Sequence, residues 1–409
     1  MEEAINIIEK SEESLQEIYK QIDNLCFFWS KRILEAFKCH HISEVHFQGT
    51  TGYGFNDLGR DTIDKVFASV LGAEDALVRN QIISGSHALN ICLFALLRPG
   101  DTLLSITGKP YDSLEEVIGI IPNDSSLMSF GINYEQIDLV DNDFDYKKIE
   151  ETLKSKKIKV IEIQRSKGYS TRKSLVIDKV EKVIKFIRSI DSDVIIMVDD
   201  CYCELASYKS SIEAGADVMV ASLMKNLGGG ITRTGAYIAG RHDLIELCAA
   251  RATLPGEGRD IGPTFSYNRD FLQGLYMAPS AVAASLKTSI LTSKVLSDLG
   301  YKVDPAYDEE RADIVQNITF EDPDLLVKYV QGIQIGSPID SDCIPVPAPI
   351  AGYADDIIMA SGAFTQGSTI EFSCDGPVRP PYIAYQQGSL TYEYGKLGLT
   401  YAIARMLEK

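Results

Sequence analysis

The chain lacks a Cys-x-x-Cys pair and a histidine-rich segment; its eight cysteines are scattered at positions 26, 39, 92, 201, 203, 248, 343 and 374 of 409 residues. A disulfide scaffold and a zinc framework both need such residues at short fixed intervals, so neither is expected, and reduced thiols in a cytoplasm are the simplest account. Positive charge is also scarce. Forty Lys and Arg against 58 Asp and Glu leave a formal charge of -18, which repels phosphate backbones and anionic lipid and argues against nucleic-acid or membrane partners. No apolar run approaches a membrane span, and the start Met1-Glu2-Glu3-Ala4 has neither the basic residues nor the apolar core of a secretory signal. Internal repeats and low-complexity blocks are missing too. What is present suits a globular protein: 45% hydrophobic and 24% charged residues, with length for two or three domains. Under the acidic excess, an anionic cofactor would have to be held by local donors such as glycine-loop amides and particular arginines.

Hydrophobic spacing divides the chain. Ile5, Ile8, Leu15 and Ile18 share one helical face, and Ile22, Leu25, Phe28, Trp29, Ile33, Leu34 and Phe37 a broader one, so residues 1–60 are expected to form an N-terminal helical arm. Residues 61–272 alternate helix-period segments with apolar runs at 103–106, 158–163, 194–198, 218–221 and 235–239. Continuous apolar strands separated by helices predict an α/β fold with a mostly parallel sheet covered on both faces. Sites in such sheets gather at the carboxyl ends of strands. A helix over about 273–299 should link to a smaller α/β domain within 273–409, where a strand begins at 313–318. The segment Ile344-Pro345-Val346-Pro347-Ala348-Pro349 is expected to be a loop or extended edge, because proline donates no ladder hydrogen bond.

Lys225 closes the apolar run 216–224 and precedes Asn226-Leu227-Gly228-Gly229-Gly230, which places an amine at a strand mouth. Withdrawal from water weakens the preference for the charged form, and a neutral amine can form a Schiff base with an aldehyde such as pyridoxal phosphate (PLP). A lysine snorkelling to solvent at a strand end is the alternative. Asp199 ends the run 194–198, 26 residues earlier, so neighbouring parallel strands would offer a carboxylate for a pyridine nitrogen and an amine for its aldehyde carbon. Asp199 could equally be a helix N-cap. Tyr202, three residues on, could reach the ring oxygen. Ser84-Gly85-Ser86-His87 opens a helix whose free amides suit a phosphate, although a serine N-cap explains the same letters. Ser222 could add a hydroxyl, and Tyr111, just beyond another strand, could lie on a cofactor ring or only pack at the sheet edge.

Together these segments resemble the PLP-dependent enzymes of fold type I, specifically the cystathionine lyase and methionine gamma-lyase group and its branch of aluminium-resistance proteins. The matching residues are 49–61, 84–88, 108–112, 164–169, 199–202, 222–226, 228–230 and 375–382, nearly the length of the chain. The resemblance implies a seven-stranded, mostly parallel sheet in a large PLP-binding domain with a smaller C-terminal domain. It makes Lys225 the PLP-bound lysine and proton shuttle, Asp199 the partner of the ring nitrogen, and Tyr111 the stacking tyrosine that helps protonate the departing sulfur. Gly85, Ser86 and Ser222 would take the phosphate, Tyr53 would reach a neighbouring subunit's phosphate site, and Arg60 is a further inter-subunit candidate. Arg379 is expected to clamp the substrate carboxylate, with Gln164 and Arg165 as alternatives. Two departures stand out. Asp200 replaces the usual asparagine and Arg233 the usual proline, and the two could compensate one another or alter the entrance. Cys201 and Cys203 flank Tyr202 and are expected to be inert packing.

The implied activity is elimination of a thiol from a sulfur-containing amino acid such as cystathionine, methionine or cysteine, giving a keto acid and ammonia. An aminotransferase would suit the same residues, and a non-enzymatic PLP-fold protein in metal-stress protection is the other alternative. The expected state is a homodimer or homotetramer with shared sites. No carboxylate cluster has the spacing of a metal site, so no metal is expected.

Overall fold

Apolar strands that alternate with amphipathic helices form a layered α/β structure, seen here in a computed structural model that describes residues 1–350 and 355–408. Helices α1 (Glu2–Glu12), α2 (Gln16–Cys39) and α3 (Leu58–Leu71) come first. The large sheet contains β1 (Asp75–Arg79), β2 (Thr102–Ser105), β3 (Asn133–Gln136), β4 (Val160–Gln164), β5 (Ile195–Asp199), β6 (Val218–Ser222) and β7 (Ala236–Gly240). Their spatial order is β1-β7-β6-β5-β4-β2-β3. Among these described strands β7 alone points the other way, antiparallel to both β1 and β6, so the sheet is mostly parallel, as expected. Helices α4 (Gly85–Leu96), α5 (Asp112–Ile118), α6 (Tyr146–Ser155), α7 (Ile177–Ile190) and α8 (His242–Ala252) supply the crossovers and flanks.

Both sheet faces are dry: every residue of β4, β5 and β6 is buried, and the strands read as largely apolar runs, interrupted in β4 by Glu162. Val160, Met197, Val220 and Ile238 meet Leu89 and Leu93 of α4 and Leu244 of α8. Ile161, Ile163, Ile196 and Val198 meet Ile149 of α6 and Val180 and Ile184 of α7. Helix α9 (Tyr267–Asp298) then spans two cores: Leu272, Leu275 and Val282 pack with Trp29, Phe67 and Tyr237, whereas Ile290, Val295 and Leu296 pack in the C-terminal core. There β8 (Lys302–Asp304), β9 (Gln316–Thr319), β10 (Ile357–Ala360), β11 (Ser373–Pro377) and β12 (Ile383–Gln387) form an antiparallel sheet in the order β10-β11-β12-β9-β8. Helices α10 (Pro323–Ile335) and α11 (Tyr392–Leu407) cover it, and Ala4 and Ile8 of α1 join the same core.

The differences from the sequence expectation are local. The first helix is interrupted by a 3-10 turn at Glu13–Leu15, and the linking helix starts at Tyr267 rather than near 273. Strand β3, Asn-Tyr-Glu-Gln, is a polar edge strand with no fully buried residue, so it shows no apolar run. In the proline-rich segment Ala348 makes a single bridge to Ile357 and no ladder.

Candidate functional site

The cleft lies at the carboxyl ends of β4, β5 and β6. Parallel pairing sets Gln164 opposite Asp199, and β6 continues past that level to Ser222. Lys225 follows three residues later, ahead of a 3-10 turn over Asn226–Gly228. That turn is tight: a Cβ on Gly228 would sit 1.6 Å from the Leu223 carbonyl oxygen, so only glycine lets the chain fold back there. Ser84, Gly85, Ser86, Tyr111, Gln164, Asp199, Tyr202, Ser222 and Lys225 line one cavity of ≈ 270 Å³. Nine of the residues singled out from the sequence therefore meet in one place.

Lys225 Nζ lies 3.8 Å from the centre of the Tyr202 ring and donates to Thr369 Oγ1 at 3.4 Å. Tyr202 holds a left-handed backbone at φ 72, an uncommon state for a non-glycine residue that surrounding bonds must enforce. Asn226, fully buried, supplies one of them: its Nδ2 donates to the carbonyls of Tyr202 at 2.9 Å and Glu204 at 2.8 Å. The Ile314 amide donates to the Tyr202 carbonyl as well, at 3.2 Å. The turn that carries Tyr202 is thus fastened to the turn that carries Lys225.

Burial pushes the Lys225 ammonium down, but Tyr202, Cys201 and Asp199 outweigh it and the net shift is upward. Desolvation thus acts in the direction expected from the sequence but does not set the net shift. Burial raises the Asp199 carboxyl despite hydrogen bonds from Cys201, whose amide donates at 3.1 Å. Burial also holds the Cys201 and Cys203 thiols well above their ordinary range, which makes them poor nucleophiles.

At the other end of the cleft, Ser84 caps α4 by accepting from the His87 amide at 3.1 Å, and the first turn of α4 presents its free amides. A Cβ on Gly85 would meet Cys201 Sγ at 3.1 Å and Ser222 Cβ at 3.5 Å, so this glycine brings the helix end against β6. Ser86 Oγ lies 2.7 Å from Ser113 Oγ. Gln164 accepts from the Tyr111 amide at 2.7 Å and donates to the Ser166 carbonyl at 2.8 Å, so its amide positions the Tyr111 loop.

Several expected residues lie elsewhere. The His87 ring turns away and accepts from the Ile83 amide at 3.2 Å. Arg165 is 1% exposed, pairs with Asp200 at 2.6 Å and donates to the Leu175 carbonyl, so it offers no surface to a substrate and the substrate-clamp expectation is corrected. Arg233 pairs with Asp270 at 2.8 Å, so Asp200 and Arg233 do not compensate one another. Arg60 is 2% exposed and donates to the Gly54 and Gly262 carbonyls at 2.7 and 3.1 Å; it braces the loop that carries Tyr53. Tyr53 itself is 70% exposed and stacks on Phe55 with ring centres 5.5 Å apart. Arg379 sits beside the cleft in a vestibule of ≈ 530 Å³ that shares Tyr111, Gln164, Gly168 and Tyr169 with it, paired to Asp355 at 2.8 Å.

The sequence missed the opposite wall. Tyr169 from the loop after β4, and Asp375, Tyr385 and Gln387 from the C-terminal sheet, line the cleft opposite, and Thr369, ahead of β11, reaches Lys225. Asp375 belongs to the same short segment as Arg379, and the alternation of a strand could have placed it on an inward face. At the opposite end of the large sheet, Asp75, His242 and Glu246 converge with ligand atoms within 4.8 Å of one another. Arg259 already binds two of them, Asp75 at 2.5 Å and Glu246 at 2.6 Å.

This donor set can hold an anion at the end of α4, a protonated ring nitrogen at Asp199 and a carbonyl carbon at Lys225. Residues 4–407 match the family model described as methionine gamma-lyase. A Bacillus subtilis protein named YnbB is 44% identical over 395 residues, covering 96% of this chain and 94% of that one. A solved structure described as a carbon-sulfur lyase involved in aluminium resistance, from Clostridium novyi NT, superposes with a TM-score of 0.96 at 42% identity, covering 100% of this chain and 96% of that one. The fold extends to the pyridoxal-5'-phosphate dependent protein YhfS of Escherichia coli, at a TM-score of 0.64 and 18% identity, with 94% and 97% of the two chains covered. The chain belongs to the methionine gamma-lyase family.

Proposed function

We propose that the protein is a PLP-dependent carbon-sulfur lyase that eliminates a thiol from a sulfur-containing amino acid, leaving a keto acid and ammonia. The observation that carries this is the convergence of Lys225, Asp199 and the free end of α4 on one cleft, in a member of this family. Bound PLP supplies an electron sink for the charge left on the substrate Cα. The Lys225 amine would hold the aldehyde carbon until the substrate's amine displaces it, and the freed amine would then take the proton from Cα. Asp199 keeps a proton on the ring nitrogen. The α4 amides with Ser86 and Ser222 hold the phosphate. Tyr111, set by Gln164, covers the ring and gives a proton to the departing sulfur.

The same reading makes the working unit a homodimer or homotetramer with Tyr53 contributing to a neighbouring site. The exposed side chains of Tyr53, Phe55, Leu58 and Phe265 support it. Incubating the PLP-loaded protein with cystathionine, methionine and cysteine, and measuring keto acid and ammonia, tests the activity. Release of both without a second keto acid supports a lyase, whereas turnover only with an amino acceptor means an aminotransferase.

A further inference from the structure

Among the described residues that line the vestibule beside the cleft, the cations are Lys109, Lys167 and Arg379. Lys109 pairs with Glu115 at 2.7 Å, and Lys167 pairs with Asp304. Arg379 is engaged through a single nitrogen. Its Nη1 donates to Asp355 Oδ2 at 2.8 Å, while Nε and Nη2 make no hydrogen bond among the described residues. Antiparallel pairing brings the two partners together. Ile357 of β10 stands opposite Pro377 of β11, and beyond them the Val378 amide donates to the Asp356 carbonyl at 2.9 Å. Asp355 and Arg379 follow as the next pair, and with Ile357 and Pro377 they line the vestibule.

A guanidinium is planar, so holding one nitrogen limits the directions open to the other two. With Nη1 held, the Nε–H and its neighbouring Nη2–H remain as the parallel pair that matches two carboxylate oxygens. An arginine without such a hold samples many rotamers, and a ligand must order it on binding. Asp355 also repels an incoming anion. The Arg379 and Asp355 side chains are 51% and 35% exposed, so water screens that repulsion, whereas alignment of the fork does not depend on screening.

We propose that Asp355 aims the open edge of Arg379 at the substrate's carboxylate, so that the pair, rather than the arginine alone, sets how tightly that end of an amino acid is held. Asp355 touches no substrate atom and acts through Arg379. The inference rests on the proposed function for the presence of an amino-acid substrate.

Norleucine and pentylamine test it, because they share an amine and an alkyl chain, differ by the carboxylate and contain no sulfur to eliminate. Titrating each into the PLP-loaded protein and following its visible absorbance should show norleucine binding about tenfold or more tightly than pentylamine. Arg379→Gln should abolish that preference. Asp355→Ala should reduce it about fivefold or more with pentylamine binding unchanged, and Asp355→Glu should restore part of it. A preference undiminished or enlarged in a folded Asp355→Ala protein overturns the proposal, and so does equal weakening of both ligands, which would mark a general structural defect. A norleucine preference that survives in Arg379→Gln overturns it as well. If Asp355→Ala does not fold, the isosteric Asp355→Asn is read in the same way. A norleucine preference that depends on Asp355, without elimination from any thioether amino acid, leaves this assignment standing and removes the lyase reading.

Discussion

At the scale of the residue, burial decides which charged groups can meet a substrate. Arg165 and Asp200 form a pair that solvent hardly reaches, so deleting one partner strands the other. Arg165→Ala should lower unfolding stability by about 3–5 kcal/mol in urea titrations. The folded fraction should keep an unchanged KM, whereas a carboxylate clamp would show its loss chiefly in KM. Glu162 is a second buried acid, accepting from Ser105 Oγ at 2.8 Å, and burial pushes it up to about 7 from an ordinary 4.5. Because the folded form holds its proton to higher pH than the unfolded chain, this group's contribution to stability falls as pH rises from 4.5 towards 7. Glu162→Gln should therefore gain melting temperature relative to the parent on going from about pH 5 to about pH 8. A constant difference across that range would contradict the assignment.

At the scale of the element, the site is made by turns that follow strands. Asp199 and Ser222 are the last residues of β5 and β6, and such strand ends are legible because the apolar runs stop there. Lys225, Asp199 and the Ser84 cap could be found from the sequence for that reason. Asn226 could not be recognised as the fastening of Tyr202, because its partners are backbone carbonyls at 202 and 204 that only the fold brings near. Arg165 was misassigned since a strand-end arginine has the same letters whether it points into the cleft or under the sheet. Asp375 and Tyr385 were missed because their shared face depends on antiparallel pairing between β11 and β12. Gly228→Ala probes the turn itself. With its Cβ forced 1.6 Å from the Leu223 carbonyl oxygen, the Lys225 loop must open, and PLP affinity should fall by about tenfold or more with a lower melting temperature. Unchanged affinity in an equilibrium titration with PLP would show that the turn does not set the lysine.

At the scale of the whole molecule, two cores share one long helix, and the cleft has walls from both. Helix α9 packs its first half against the large sheet and its second half in the C-terminal core, while Thr369 and Asp375 approach Lys225 from the C-terminal side. Lys167, after β4, pairs with Asp304 of β8 and ties the two walls together. The exposed loop around Tyr53 and Phe55, braced by Arg60, is the surface expected between subunits. Sedimentation should find a dimer or tetramer, and Tyr53→Ala combined with Phe55→Asp should shift it towards monomer and weaken PLP binding. A monomer that binds PLP as tightly as the assembly would refute a shared site.

The chemistry of the cleft turns on the Lys225 amine carrying the cofactor. Borohydride reduction of the PLP-loaded protein, followed by proteolysis and mass spectrometry, tests it most directly. One modified peptide is expected, containing Lys225, and none from the Lys225→Ala protein. Modification of a different lysine, or of none while PLP remains bound, would contradict it.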